Sequence, residues 1–439
     1  MLRNLKGTTD YLPQEQQTRK RIQKTLEEVF ELYGCKPLET PILNYYDLMA
    51  SKYGGGEEIL KEVYRLNDQG ERDLSLRYDL TIPFAKVIGM NPEMRLPLKR
   101  YEIGKVFRDG PIKAGRFREF IQCDVDVVGI KSVKAEADLI AMALDCFERL
   151  GLDVTIQLNN RKLLTGLLNE INVPEASIND VILSLDKLEK IGLDGVLREL
   201  SERKVDNNTL SELKEIITNK ENCKLSFYEE NFGSATLREG IKELKDLFTT
   251  LEYLGLEKKV KFTPFLARGL NIYTGTIYEI FLTDGSITSS IGSGGRYDTI
   301  IGNFLESERT YPTAGISFGL DVIYTALKQS RKFVLDPAVD VFIIPIGTEK
   351  ESMRLAGALR RSGIRTEIEL SEKRLKKSLD YANKENIPYV LLLGENELEE
   401  NKITVKNMES GEEQKVTLDD VGAFLKIVIS NKSTEQLQK

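Results

Sequence analysis

The sequence predicts a protein that mixes α-helices and β-strands and is divided into two or three domains. Three observations lead to this prediction: a strand hairpin in the N-terminal part, a long helical stretch after it, and a regular strand–helix alternation towards the C-terminus. A chain of 439 residues is long enough for two or three separate hydrophobic cores.

The N-terminal part begins with an amphipathic helix followed by a short edge strand. Pro13 suits the first turn of a helix, and apolar residues recur at helical spacing over residues 15–32. A strand is predicted over residues 37–42, and Pro41 restricts it to an edge or a bulge. This helix and strand form a possible dimer surface, and an ordinary first pair of elements explains the pattern equally well.

A polar junction follows, where a strand over residues 73–78 runs into a helix that begins near Leu80. Asp79 and Thr81 lie at this junction, and Asp and Thr commonly cap helices. The functional alternative is that this carboxylate and this hydroxyl face the amino group of a substrate.

Two strands, over residues 100–107 and 118–128, are predicted to form the central hairpin of the chain. Arg108 lies where the first strand ends, and Arg116 and Arg118 lie where the second strand begins. Guanidinium groups collected at one end of a sheet face are suited to binding phosphate.

The remainder of the same face carries an amide and two carboxylates. Gln122, Asp124 and Asp126 follow one another at a spacing of two, which places their side chains on one face of the strand. Such a row suits a cationic, hydrogen-bonding substrate. A solvated hairpin with charged edges explains the spacing equally well, so both interpretations remain open on spacing alone.

A helical region and a glycine-rich strand pattern come next. Residues 168–254 show helical periodicity with many Lys and Glu, which predicts an insertion of short helices without evident chemistry. Gly292, Gly294 and Gly295 lie within a strand pattern, which favours a flat ligand platform over a turn.

The C-terminal residues, 338–430, alternate strands and helices and end in a charged hairpin and a final helix. This order predicts a small, mostly parallel sheet with covering helices. The region has neither a GxGxxG fingerprint nor a GxxxxGK[ST] loop, so nothing in it predicts a nucleotide site.

Composition narrows the chemistry. A formal net charge of −7 disfavours indiscriminate nucleic-acid binding, and four cysteines without a CxxC pair argue against a disulfide framework and a zinc site. No apolar run is long enough to span a bilayer and no signal-peptide pattern is present, so a cytosolic protein without membrane contact is expected. The chain contains no histidine, so its chemistry must rest on arginine, carboxylates and a metal that arrives with a substrate.

The central hairpin is preceded by the motif RYDLTIPFA and followed by ARGLNIYTGTIYE and GSGGRYD. In this order, these segments resemble the histidyl-tRNA synthetase family of class II aminoacyl-tRNA synthetases. The resemblance covers essentially the whole chain. It implies a catalytic domain over residues 1–330, an antiparallel sheet flanked by helices, with the helical insertion at about 168–254. An α/β anticodon-binding domain is implied over residues 338–430.

The resemblance also implies ligands and a site for ATP. The expected substrates are histidine, ATP with Mg²⁺, and tRNA(His), and the expected assembly is a cytoplasmic homodimer with no metal site of its own. Arg108 and Arg268 match the catalytic arginines that hold the ATP α-phosphate from opposite sides. Arg116 belongs to the same hairpin loop as Arg108 and is expected to contact phosphates or the adenine side of ATP.

Five further residues are expected to bind histidine by the same resemblance. Asp79, Thr81 and Gln122 match positions that hold the α-amino group of histidine. Asp126 and Tyr273 match positions that recognise its imidazole.

Three places depart from the family pattern. Asn271 and Ile272 replace Asp and Tyr in the RGLDYYTG signature, and Gly110 replaces a glutamate that bacterial members carry two residues after the hairpin arginine. The third class II motif usually ends in Gly-Leu-Glu-Arg, whereas this chain has Asp321 and Val322 at the last two positions. The arginine missing at position 322 is the one that holds the γ-phosphate in the family.

Three functions are compared on these motifs. The first is an active histidine–tRNA ligase, and the second is a non-catalytic relative that senses histidine or tRNA, similar to the regulatory subunit of ATP phosphoribosyltransferase. That subunit typically lacks a C-terminal domain and need not keep the signature arginine, whereas this chain has both the domain and Arg268. A tRNA-binding structural module would leave the carboxylates of the hairpin unexplained, so the ligase is the preferred hypothesis.

Overall fold

The structure, a computed structural model, describes residues 2–50, 60–112, 117–268, 272–307, 309–330, 337–371 and 373–437. The chain divides into two compact units. The larger comprises Met1–Asp10 and Arg19–Lys332, and the smaller comprises Tyr11–Thr18 and Phe333–Lys439.

The larger unit contains two sheets and most of the helices. Its strands are β1 (Lys36–Pro37), β2 (Leu43–Tyr45), β3 (Arg65–Asn67), β4 (Asp73–Leu76), β5 (Leu98–Phe107), β6 (Glu119–Val128), β7 (Val154–Asn160), β8 (Val260–Phe262), β9 (Thr276–Leu282), β10 (Gly292–Arg296) and β11 (Thr313–Gly319). The helices in this part of the chain are α1 (Pro13–Leu32), α2 (Tyr46–Ala50), α3 (Thr81–Met90), α4 (Lys134–Arg149), α5 (Arg161–Glu170), α6 (Glu175–Leu185), α7 (Leu188–Glu202), α8 (Asn207–Thr218), α9 (Leu225–Asn231), α10 (Ala235–Tyr253), a 3₁₀ turn (Glu257–Lys259), α11 (Ile300–Phe304) and α12 (Leu320–Ser330).

Among the described residues, the main sheet has eight strands in the order β1-β5-β6-β11-β10-β9-β7-β8. Its inner pairs are antiparallel, and the edge pairs β1-β5 and β7-β8 are parallel. Strand β6 lies between β5 and β11, where Asp124 is paired with Glu102 on one side and with Ser317 on the other. The carboxylates predicted to share one strand face therefore lie in the interior of the sheet.

Helices α1 and α4 cover one face of this sheet. The ring centroids of Phe30 in α1 and Phe147 in α4 each lie 5.7 Å from the ring centroid of Phe318 in β11. Because side chains alternate along a strand, Ser317 lies on the opposite face from Phe318. That opposite face carries the candidate site.

The helices between β7 and β8 form a hydrophobic core of their own. Helices α5 and α10 cross at two glycines: a Cβ on Gly166 would lie 2.5 Å from the Leu237 nitrogen, and a Cβ on Gly240 would lie 2.5 Å from the Leu163 nitrogen. Any larger side chain at either glycine would separate the two helices. A three-stranded antiparallel sheet, β2-β4-β3, completes the larger unit.

The smaller unit has the alternation predicted from the sequence. Its strands are β12 (Val341–Ile346), β13 (Thr366–Ile368), β14 (Tyr389–Gly394), β15 (Lys402–Asn407) and β16 (Glu413–Thr417), and its helices are α13 (Glu349–Arg361), α14 (Leu375–Lys384), α15 (Glu395–Glu399) and α16 (Val421–Leu437). The strand order is β13-β12-β14-β15-β16, with three parallel strands followed by the charged antiparallel hairpin. In the described part of the chain, no helix is both long and apolar enough to cross a membrane.

One local prediction is wrong. The strand expected over residues 37–42 is replaced by the two-residue β1 at the sheet edge and by β2 in the small sheet. Pro41 lies between these two strands and has no backbone N–H to donate to a ladder, which fits the break in pairing there.

Candidate active site

A small cavity opens on the face of the main sheet opposite α1 and α4. Side chains from β6, β11, the start of α3 and the segment before β9 line it together with two glycine backbones. The lining residues include Thr81, Asp124, Asp126, Tyr273, Gly294, Tyr297, Gly315 and Ser317. Five of these were singled out in the sequence, at Thr81, Asp124, Asp126, Tyr273 and Gly294.

The glycines are required by close approach at the floor of the cavity. A Cβ on Gly294 would lie 2.1 Å from the carbonyl oxygen of Gly315, and a Cβ on Gly315 would lie 2.0 Å from Oδ1 of Asp126. Gly294 lies in β10, so the glycine pattern does belong to a strand, as predicted. The missing side chains leave room at the cavity for Asp126 and for a ligand.

Asp126 is held in a buried charge network. Its Oδ2 lies 2.6 Å from Nη2 of Arg100, and its Oδ1 accepts a hydrogen bond from the hydroxyl of Tyr297. Burial raises the pKa of Asp126, although Arg100 and Tyr297 oppose that shift. The carboxylate is thus fixed in position at the cavity wall.

Arg100 was not recognised in the sequence, and it connects three parts of the site. Its side chain is 1% exposed, and its guanidinium lies 4.1 Å from the ring centroid of Phe84. Nη2 donates to the carbonyl oxygen of Leu80 at 3.2 Å, and Nη1 lies 3.3 Å from Oε2 of Glu102. Arg100 therefore ties β6 to the turn that carries Asp79 and Thr81.

The turn before α3 has a clear local function. Oδ1 of Asp79 accepts a hydrogen bond from the backbone N–H of Ile82 at 3.0 Å, so this side chain caps the first turn of the helix. Thr81 is the first residue of α3 and lines the cavity. The capping interpretation of Asp79 is confirmed, and the contact leaves its predicted role towards an amino group untested.

Gln122 and Asp124 share the strand face of Asp126. Nε2 of Gln122 donates to Oγ of Ser317 at 2.8 Å, and Ser317 also hydrogen-bonds the carboxyl group of Asp124. Burial, reinforced by the neighbouring Asp126, raises the pKa of Asp124 to about 8. The spacing in the sequence places Asp124 on this face, and the sequence interpretation gave it no role of its own.

The arginine at the end of the first hairpin strand is held between aromatic rings. The guanidinium carbon of Arg108 lies 4.2 Å from the ring centroid of Tyr78 and 5.0 Å from that of Phe120. Nε of Arg108 donates to the carbonyl oxygen of Tyr78 at 3.3 Å. The side chain is half-buried, so the cation is oriented and keeps access to the surface.

Arg268 lies six residues beyond the end of β8 and is linked to the cavity through Tyr273. Nη1 lies 2.5 Å from Oε1 of Glu279, and the guanidinium hydrogen-bonds Tyr273. Burial opposes its charge, yet Tyr273 and Glu279 raise the pKa of Arg268, so it remains a cation. Burial raises the pKa of Tyr273, which therefore stays protonated at neutral pH.

The third-motif carboxylate has a structural role. One oxygen of Asp321 forms a buried ion pair with Arg19 of α1, and the other accepts the backbone N–H of Ile121 at 2.9 Å. Val322 follows it in the first turn of α12. Arg116 and Asn271 lie outside the described residues.

Taken together, the site collects carboxylates at the centre of the sheet, with Arg268 joined to the cavity through Tyr273 and Arg108 directly after the end of β5. Guanidinium groups are suited to a phosphate chain, and the carboxylates and amide are suited to an amino group. The antiparallel sheet, its helical cover and the separate α/β unit form the architecture of class II aminoacyl-tRNA synthetases.

Comparisons with known proteins identify the family. The histidyl-tRNA synthetase family model matches residues 7–323, and the anticodon-binding domain model matches residues 340–427. The chain is 57% identical over 425 residues to "Histidine--tRNA ligase 1" of Bacillus anthracis, covering 97% of this chain and 100% of that relative. This chain belongs to the histidyl-tRNA synthetase family.

Solved structures agree with this assignment. The crystal structure of histidyl-tRNA synthetase from Nostoc sp. PCC 7120 matches with a TM-score of 0.84 and 28% identity, covering 97% of this chain and 99% of that one. A structure from Bacillus halodurans, described as an ATP phosphoribosyltransferase regulatory subunit/histidyl-tRNA synthetase, matches with a TM-score of 0.74 and 21% identity. It covers 90% of this chain and 98% of that one, and at this identity the likeness concerns the fold alone.

Proposed function

We propose that this protein is a histidine–tRNA ligase, which activates histidine with ATP to histidyl-adenylate and transfers the histidyl group to the 3′ end of tRNA(His). The observation that carries the proposal is the 57% identity to a histidine–tRNA ligase across the whole length of that relative. The charge distribution of the site supports it independently, because the reaction joins an amino acid to a nucleoside triphosphate.

The arginines act on the phosphate chain. Attack of the histidine carboxylate on the α-phosphorus brings two anions together, and Arg108 and Arg268 stabilise the charge that develops there. The two rings beside Arg108 and the ion pair between Arg268 and Glu279 orient these cations before ATP arrives. Arg116 contributes to the same phosphate or adenine contacts from the hairpin loop.

Mg²⁺ is proposed to enter with ATP. Within the described residues, no group of three or more Cys, Asp or Glu side chains is arranged to hold a metal ion. A metal bound to the phosphates supplies further charge neutralisation when it is present.

Histidine is proposed to bind in the cavity with its two ends recognised separately. Asp79, Thr81 and Gln122 hold the α-amino group, and Asp126 and Tyr273 recognise the imidazole. The carboxylate of histidine is already a nucleophile at neutral pH, so adenylation needs no imidazole base from a chain that has no histidine.

The remaining proposals concern assembly and organisation. Residues 1–330 form the catalytic domain with its insertion at about 168–254, and residues 338–430 bind the anticodon of tRNA(His). The protein acts as a cytoplasmic homodimer through the first helix and strand. Exposed apolar side chains at Leu32 in α1 and at Leu43 and Tyr45 in β2, which are 68%, 52% and 56% exposed, support a surface in this part of the chain.

The experiment is pyrophosphate exchange with the full chain, ATP and Mg²⁺, with and without histidine. Exchange that depends on histidine is the expected result. Binding of histidine without any exchange would contradict the ligase and favour a histidine sensor.

A further inference from the structure

Three side chains on the cavity face of β6 each have an oxygen that is buried without a hydrogen-bond donor in the described part of the structure. These atoms are Oε1 of Gln122, Oδ1 of Asp124 and Oδ2 of Asp126. Asp124 is 3% exposed and lines the cavity together with Asp126. A buried acceptor that is left without a donor is costly, so these oxygens indicate that a ligand supplies N–H groups here.

Asp126 differs from the other two, because its carboxylate is already paired with a cation within the protein. Tyr297 donates to one oxygen, and Arg100 lies 2.6 Å from the other. Asp124 is therefore a second carboxylate on this face, beside Asp126, with an oxygen left for a ligand.

A hydroxyl relay fixes Asp124 and Gln122 relative to each other. Ser317 is the register partner of Asp124 across the β6–β11 ladder, and its Oγ accepts a hydrogen bond from Nε2 of Gln122 at 2.8 Å. The same hydroxyl hydrogen-bonds the carboxyl group of Asp124. Because a hydroxyl has a single proton, Ser317 accepts from Gln122 and donates to Asp124, which leaves Oε1 of Gln122 and, once the carboxyl group is ionised, Oδ1 of Asp124 as acceptors.

The surroundings of Asp124 carry more acidic than basic groups. The titratable groups that face it come from β6, β5, the turn before α3 and the segments that carry Tyr273 and Tyr297; they are Asp126, Arg100, Glu102, Asp79, Tyr273 and Tyr297. Arg77 adds a second guanidinium by pairing with Glu102 at 2.8 Å. Together with Asp124 itself, four carboxyl groups lie near two guanidinium groups, a balance that favours a cationic ligand.

We propose that Asp124 contacts the substrate directly and that its Oδ1 accepts an N–H of the α-ammonium group of histidine, beside Oε1 of Gln122. The inference rests on the proposed function. The ammonium group is preferred over the imidazole because the Ser317 relay ties Asp124 to Gln122, and because Asp79 is near enough to contribute to the raised pKa of Asp124. Gln122 and Asp79 are both proposed to hold the amino group.

This contact predicts that histidine binding releases a proton. The pKa of Asp124 is about 8 in the free protein, so its carboxyl group is largely protonated at neutral pH. A bound ammonium group favours the ionised form and lowers that pKa. Asp124 therefore gives up its proton when histidine binds near pH 7, and it has already lost the proton at a pH well above 8.

The test is isothermal titration calorimetry of the full chain with histidine and with imidazolepropionate, which lacks only the amino group. Asp124→Asn is expected to weaken histidine binding roughly ten- to a hundredfold, as for loss of a charged hydrogen bond. It should leave imidazolepropionate binding unchanged. Titrations at about pH 7 in buffers of different ionisation enthalpy should show proton release in the wild type and its loss in the variant.

Two further variants keep the outcome decisive. Ser317→Ala removes the relay and should weaken histidine binding selectively, which provides the test if Asp124→Asn does not fold. Asp153→Asn makes the same change of charge at a side chain that is 62% exposed and paired with Lys259, and it should alter neither ligand.

Equal weakening of both ligands by Asp124→Asn, or no weakening of histidine, would overturn the assignment of Asp124 to the ammonium group. Failure of the wild-type protein to bind histidine would instead contradict the proposed function. The two failures are therefore distinguished by the wild-type titration alone.

Discussion

Replacing Arg100 by methionine is expected to destabilise the larger unit and to weaken histidine binding more than ATP binding. The guanidinium is almost fully buried and lies 2.6 Å from Asp126 and 3.3 Å from Glu102. It also donates to the carbonyl oxygen of Leu80 at 3.2 Å, next to Thr81. Methionine fills similar space and makes none of these contacts.

The expected loss of folding free energy depends on which contacts Glu102 and Asp126 keep when Arg100 is replaced. Glu102 keeps Arg77 at 2.8 Å together with the backbone N–H and hydroxyl of Thr40 at 2.9 and 2.8 Å. Asp126 keeps the hydroxyl of Tyr297. Removing one member of a buried ion pair usually costs about 3–5 kcal/mol. We expect about 3 kcal/mol, because Asp126 can take up a proton and the loss falls mainly on this one carboxylate.

A double-mutant cycle with Asp126→Asn isolates the interaction. The neutral amide needs no cation, so Arg100→Met should cost little in that background, and the coupling energy should reach about 2–3 kcal/mol. Far-UV circular dichroism in urea is the suitable probe, because the chain has no tryptophan. Arg65→Met is the matched control: that arginine is 59% exposed and pairs with Asp73 at 2.5 Å, so its loss should cost about 0–1 kcal/mol.

Two outcomes would refute the reasoning. If Arg100→Met unfolds within about 1 kcal/mol of the wild type, the network is not a buried charge pair of the expected strength. If the two substitutions simply add, Arg100 and Asp126 are not coupled, and the arginine has no role in positioning the carboxylate.

Three further predictions concern catalysis, specificity and pH. Arg108→Ala and Arg268→Ala should each lower kcat for pyrophosphate exchange by about 10²–10³-fold, because both arginines act on charge that develops in the transition state. The circular dichroism spectrum should not change. An exchange rate near that of the wild type in either variant would show that this arginine has no part in the mechanism. Asp126→Asn should raise KM for histidine about ten- to a hundredfold with little change in KM for ATP. Equal changes in the two KM values would show that Asp126 supports the fold and does not contact histidine. Because burial raises the pKa of Asp124 to about 8, the stability linked to its proton is present below about pH 4 and is lost as the pH rises towards 8. The Tm of ligand-free Asp124→Asn should therefore rise relative to the Tm of the ligand-free wild type as the pH increases from about 5 to 8. A difference in Tm that does not change with pH would contradict the raised pKa of Asp124.

Local pattern was sufficient for much of the fold. The hairpin strands predicted over 100–107 and 118–128 are observed as Leu98–Phe107 and Glu119–Val128, because the alternation of side chains and the polar connection mark their limits. The exchange of a strand between two sheets around Pro41 was missed. Which sheet receives β2 depends on its pairing with β4, a contact between distant residues that no periodicity encodes.

The sequence predicted the site residues that lie on a single strand, β6. It missed Arg100 and Ser317, which reach the site from the neighbouring strands β5 and β11. The spacing of Gln122, Asp124 and Asp126 gives their common face directly. Arg100 lies opposite Asp126 only because of the register of the hairpin, which the spacing on one strand does not fix. Ser317 reaches the same face from β11, almost two hundred residues later, so its relay between Gln122 and Asp124 appears only in the folded sheet.

The arrangement of charge explains how a chain without histidine can run the proposed reaction. An amino acid carries an ammonium and a carboxylate a few ångströms apart, and the acidic row on β6 attracts the first and repels the second. Tyr273 joins this row to Arg268 through a hydrogen bond, so the repelled carboxylate and the phosphate chain share a cationic side. The protein then has no proton to remove from the nucleophile. Its task is to hold two anions in line, and orientation by fixed charges is sufficient for that.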